Sequence, residues 1–277
     1  MAVLTRVEAY VLDSGAFVSL MAASLTASTA WVCDLAASPE VIALAGTATA
    51  AVYGLDRLLD TSPADVQNVP LRAAWVARHR RLLVAQVVAC TLASAVLAAL
   101  LPRYAQFVLI LLGACTGVYG LRLIPALRGW ATPVKPLAIG VLWAGGSVWV
   151  PHAVAGVGVD AAGWCLFAAR GLHVVVGCLL FDLRDREGDL ASGEHSWAVR
   201  WGRGPTLAVC WVATGAAATT LLVGVELPRA APDLVTGAAL IALLIRPRVE
   251  LRRYCALGVD GALGLPGLVA GVLASWG

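Results

Sequence analysis

Nine stretches of the chain are almost wholly apolar: 9–33, 40–59, 82–101, 104–122, 136–155, 162–182, 205–225, 232–246 and 254–276. Most approach the roughly 20 residues that a membrane-spanning helix needs. In lipid the backbone must satisfy its own hydrogen bonds, so runs of this length are predicted to be helices. Pro63 and Pro70, Pro102, Pro125 and Pro133, and Pro228 and Pro232 punctuate the connections. The pattern predicts an all-α, multi-pass transmembrane bundle of about nine helices forming one domain over 1–277. It shows no clear internal repeat and no low-complexity segment. The N-terminal stretch 1–30 has an early Arg6, an apolar run and a small-residue end, as a secretory leader does. Glu8 and Asp13 interrupt it, however, and eight further runs follow, so it reads as the first membrane helix.

Composition agrees. The chain is 60% hydrophobic and 13% charged, with mean hydropathy +0.83; a soluble domain has about 45–50% apolar and about 25% charged residues. The net charge of +3 does not point to nucleic acid, because the basic residues sit between apolar runs instead of forming one surface. The seven cysteines are scattered, mostly inside those runs, with no metal-ligand spacing, and read as small core residues.

The placement of the basic residues sets an orientation. With the N-terminus in the cytoplasm, that side carries seventeen of the Lys and Arg residues; the far side carries Arg103 and Arg229, and Arg170 lies inside a span. Such an excess predicts a cytoplasmic N-terminus and, after nine crossings, a C-terminus on the far side of the cell membrane.

Two acidic bursts then fall on the cytoplasmic side, "VYGLDRLLD" (52–60) and "FDLRDREGD" (181–189). On a helix, Asp56 and Asp60 share a face, and Asp182, Asp185 and Asp189 form one stripe. Either burst alone is readily a solvated helix end. Together, with helical spacing on the same side, they predict a site where carboxylates would repel unless a cation bound between them. Carboxylate oxygens without His or Cys suit a hard ion such as Mg²⁺, which often bridges to substrate phosphates. A diphosphate would need cationic ligands. Arg72, Arg78, Arg80, Arg81, Arg122, Arg128 and Lys135 are available in the loops, with Arg72 and Lys135 preferred beside their prolines. Arg57 and Arg186 lie within the bursts themselves.

The pair "DRLLD" and "DLRDREGDLASG", with "GEHSWAVRWG" downstream, resembles the UbiA superfamily of intramembrane prenyltransferases. Along the whole chain, the resemblance implies a single UbiA-like domain with its cavity opening to the cytoplasm. It assigns Asp56, Asp60, Asp185 and Asp189 to metal binding and catalysis, with Asp182 an additional acid. Val52 and Tyr53 stand where the family usually has Asn and Asp, and the family's Arg-Pro pair appears only as "NVPLR" (68–72). The implied reaction is Mg²⁺-dependent ionisation of a prenyl diphosphate and transfer of the allylic group to a lipophilic acceptor. Tyr53 and Tyr119, with Trp31, Trp143, Trp149, Trp164, Trp197 and Trp201, are candidates to face the cation, although Trp near span ends also serves as an interfacial anchor.

Two other functions remain open. A terpene cyclase on the same scaffold would quench the cation internally. A transporter would use intramembrane acids, but usually near the midplane. Asp13 and Asp260 lie a turn or two inside the membrane, either facing substrate or reaching water. Arg170 and His173 share a face too deep for the metal chemistry, as a structural pair or snorkelling outward. His79, His152 and His195 have no partner legible in the sequence.

Overall fold

The computed structural model describes residues 2–59, 67–120 and 128–275, with side chains at 7–59, 67–117 and 134–275. The apolar runs are helical: α1 (Ala2–Asp13), α2 (Ala16–Val32), α3 (Pro39–Leu59), α4 (Pro70–Leu100), α5 (Arg103–Gly120) and α6 (Arg128–Ala144). A π-helical stretch, Gly145–Trp149, joins α6 to α7 (Val150–Ala155). Then come α8 (Ala161–Ser192), α9 (Trp197–Trp201), α10 (Arg203–Gly224) and α11 (Leu227–Ile245), and a second π stretch, Tyr254–Val259, leads into α12 (Asp260–Ala274). Among the described residues, seven helices are long and apolar enough to cross a membrane. The α1–α2 pair, bent by 63°, makes an eighth, and the shorter apolar helix Arg103–Gly117 accounts for the remaining run, 104–122. The chain is a multi-pass membrane protein.

Helix ends differ from the apolar runs where polar helix continues into water. α4 starts at Pro70 instead of 82, because proline is well placed in a first helical turn. α8 continues past 182 to Ser192 and stops at Gly193, whose φ of 75° suits glycine and whose N–H caps the Asp189 and Leu190 carbonyls. At 32 residues α8 is about 48 Å long, against a hydrocarbon core of about 30 Å, so its acidic end projects beyond the lipid. The first run is not one straight helix. It breaks at Gly15, whose φ is 87° and where a Cβ would come within 2.9 Å of Arg57 Nη1.

Prolines inside the spans create polar groups that neighbouring helices satisfy. Pro151 has no N–H for the Ser147 carbonyl four residues earlier, and the Thr29 hydroxyl donates to that carbonyl at 2.6 Å. Pro266 leaves the Ala262 carbonyl in the same state, and Thr236 donates to it at 3.0 Å. Each lost backbone bond thereby becomes a bond between helices, α2 to the π stretch and α11 to α12.

α2 packs against α3 and α12, α3 against α4, and α8 against α6 and α10, with α11 between α10 and α12. One apolar core, including Leu179, Leu180, Cys210, Leu240 and Val259, binds α8, α10, α11 and α12. A second, with Val148, Leu166, Ala217 and Leu221, closes the end opposite the acids. Between them lies Arg170, 1% exposed. It does not snorkel and does not pair with His173. It donates to both oxygens of Asp233 on α11 (2.9 and 3.1 Å) and to the Leu25 carbonyl, Thr29 and Ser28 on α2. The five guanidinium N–H groups are thus matched.

Candidate functional site

On α3, Tyr53 and Arg57 are one turn apart on the inward side, while Val52 and Asp56 lie on the adjoining exposed face. Tyr53 meets Trp143 of α6 edge to face, with ring centroids 6.3 Å apart. Arg57 is buried, and its Nη1 has no hydrogen-bond partner. The first charge felt by Arg57 is that of Arg72, a like charge, followed by those of Asp13 and Asp56. An orphaned guanidinium N–H beside a second arginine is a place for an anion.

α8 supplies the opposite wall. Asp182 is buried, with Oδ2 unpartnered, and Lys135 is the counter-charge acting on it ahead of the like charges of Asp189 and Asp185. Asp185 is half-buried, and both its oxygens accept from Arg184, at 2.7 Å each. Arg184 also lies over the Phe181 ring, 4.9 Å from its centroid. Asp189 is half-buried and accepts from Asn68 Nδ2 at 3.4 Å. Arg186 points elsewhere, donating to the Ala198 carbonyl at 3.1 Å.

Cys178, one turn deeper than Asp182, lies within electrostatic reach of Tyr53, Lys135, Asp182 and Asp260. Asp260 opens α12 and feels Arg184 and Arg57. Residues of α3, α6, α8 and α12 are therefore linked electrostatically near the acidic end. Asp13 does not stand free toward it, because Arg252 holds its carboxylate at 2.7 Å. Among the described residues, no three His, Cys, Asp or Glu side chains come together as a metal cage. Asp60 and the side chain of Tyr119 lie outside the described residues, as do Arg122 and the side chain of Arg128. Trp149 and Trp164 pack with Phe167 at the other end of the bundle, and Trp197 packs on Trp201 of α9. Of the tryptophans expected to line the cavity, Trp143 is the one in ring contact with Tyr53.

Three important residues were not picked out from the sequence: Arg184, Asn68 and Asp233. Asp233 carried a signal, since an acid two residues into an apolar run calls for a buried partner such as Arg170.

No family profile matches the chain, and no curated protein matches it. Among solved structures, the apo structure of a UbiA homolog from Aeropyrum pernix K1 matches with a TM-score of 0.68 at 16% identity, over 93% of this chain and 97% of the other. The fold is that of a UbiA homolog. The expected all-helical membrane bundle is thereby shown. In this UbiA-like bundle Arg57 of α3 and Arg184 of α8 both act on Asp260, at the start of α12.

Proposed function

We propose that the chain is an integral-membrane prenyltransferase that ionises a prenyl diphosphate and transfers the allylic group to a lipophilic acceptor, with Mg²⁺ as cofactor. The observation that carries this reading is a pair of unmatched buried groups: Arg57 Nη1 on α3, repelled by Arg72, and Asp182 Oδ2 on α8, which feels Lys135. Cations on one side and oxygen donors on the other fit a diphosphate and a hard metal ion held together. The residues offered to the metal are Asp56, Asp60, Asp185 and Asp189. When bound, Mg²⁺ supplies Lewis-acid neutralisation of the leaving group.

Arg57, Arg72 and Lys135 orient the diphosphate and stabilise negative charge as the allylic C–O bond breaks and its electron pair leaves with the diphosphate. Tyr53 and Trp143 present aromatic faces to the carbon left positive, and the surrounding apolar helices keep water from it. The acceptor then supplies the electron pair for the new bond and loses a proton. The prenyl tail lies in the bilayer, and the acidic end faces the cytoplasm.

A terpene cyclase is the second reading, favoured by one observation: Tyr53, with Trp143 edge-on, occupies a position where the family usually carries Asp. Purified protein incubated with Mg²⁺ and prenyl diphosphates of several lengths, then extracted with hexane, tests both. Pyrophosphate release that requires an acceptor supports transfer. Hydrocarbon or terpene alcohol formed without an acceptor supports cyclisation. No release under any condition removes both readings.

A further inference from the structure

Asn68 sits just before α4, on the segment that follows the first acidic burst, and reaches the second burst on α8. Its Oδ1 accepts the backbone N–H of Gly188 at 3.1 Å, and its Nδ2 donates to Asp189 Oδ1 at 3.4 Å. The amide orientation follows from chemistry, because the Gly188 N–H can only donate and the Asp189 carboxylate can only accept. Gly188 makes the approach possible. A Cβ there would overlap Asn68 Oδ1 and lie 2.6 Å from Cγ and 2.7 Å from Nδ2. No other side chain matches both partners as well: Asp would face Asp189 with a like charge, and Gln would be one methylene too long for this cradle. Glycine inside a helix costs about 1 kcal/mol relative to alanine, so the buried Gly188 in the acidic end of α8 calls for a reason. The Asn68 cradle is that reason.

We propose that Asn68 is a positioning residue that fixes the rotamer of Asp189 for metal binding and ties the segment following the first acidic burst to the second burst on α8. This rests on the reading of Asp189 as a metal ligand. Partners that orient a metal-binding carboxylate typically alter metal affinity by about 10–100-fold when removed.

The test uses the full-length protein in detergent, with inorganic pyrophosphate as probe, and reads the Mg²⁺ concentration that gives half-maximal thermal stabilisation. Asn68→Ala should raise that concentration about tenfold or more, and Asn68→Asp further still. On an Asp189→Asn background, Asn68→Ala should add nothing, because its effect passes through Asp189. Melting without metal reads the contact itself. Gly188→Ala should lower the Tm when Asn68 is present and raise it in Asn68→Ala, where the clash is gone and the helix gains its better former. An unchanged Mg²⁺ requirement in Asn68→Ala, or an equal additional loss on the Asp189→Asn background, overturns the positioning role. A wild-type protein that Mg²⁺ and pyrophosphate do not stabilise overturns both the role and the metal reading beneath it. In that case the Gly188–Asn68 melting cycle still identifies a purely structural clip.

Discussion

Asp13 and Arg252 lie 239 residues apart in the chain and 2.7 Å apart in the fold. The carboxylate side chain is 5% exposed and the guanidinium 37%, so the acid is the buried partner and the arginine comes to it from the water side. One residue on, Arg253 forks onto Glu8 at 2.9 and 3.0 Å. The segment before α12 thus holds α1 across the bend at Gly15.

Because Asp13 is the buried member, the two halves of this pair are not equivalent. Arg252→Ala leaves an uncompensated carboxylate and should cost about 1–3 kcal/mol, less than breaking a fully buried pair. Asp13→Asn leaves a neutral amide and should cost less, and the double variant should resemble Asp13→Asn. Thermal unfolding in detergent checks the order. Equal losses for both single variants would mean that Asp13 is not buried in the folded protein.

Arg170 should be far more sensitive. Replacing it with Met leaves Asp233 an uncompensated buried carboxylate and removes the bonds to Ser28 and Thr29, and a loss of about 3–5 kcal/mol or failure to fold is expected. Arg170→Met combined with Asp233→Leu removes both charges and should recover much of the stability. A double variant no better than the single would show that the bonds to α2, not the ion pair, hold the bundle together.

For the proposed chemistry, Asp56→Asn, Asp60→Asn, Asp185→Asn and Asp189→Asn should each reduce turnover by orders of magnitude while the protein stays folded. Asp182→Asn should be milder, since it lies outside the spacing matched to the family pattern. The measurement is pyrophosphate release at saturating Mg²⁺, with melting as the folding control. Full activity in all five would leave the acids as a solvated helix end.

Tyr53 separates the two readings of the reaction. If the hydroxyl orients the diphosphate, Tyr53→Phe lowers turnover with the product unchanged. If the ring guides a carbocation, Tyr53→Phe is nearly silent and Tyr53→Leu changes the products. Trp143→Leu should then change them too, since the two rings meet at 6.3 Å. Product analysis by gas chromatography decides between them.

The course of the helices was legible because hydropathy reports what lipid demands, and each apolar run became helix. Hydropathy is silent where helix continues into water, which is why α4 and α8 extend well beyond their greasy parts. It is equally silent about Gly15, where a single left-handed residue bends the first crossing. At the site, spacing made the acids visible. Their partners were not, because Asn68 meets Asp189 across 121 residues and Arg170 meets Asp233 across 63. Arg184 was hidden for a different reason: its partner is the adjacent Asp185, and adjacent charges in a water-facing segment look like ordinary solvated surface.

The Arg170 cluster also bears on how the protein is made. α8 leaves the ribosome carrying a guanidinium whose burial at the centre of a bilayer costs about 2.5–3.5 kcal/mol on insertion scales. Three of its five bonds go to α2, which has already been synthesised, whereas Asp233 emerges 63 residues later. Nascent α8 can therefore dock on α2 through polar contacts while still unneutralised, and α11 closes the charge when it arrives. A nascent chain halted before α11 would carry a half-matched cation within the membrane.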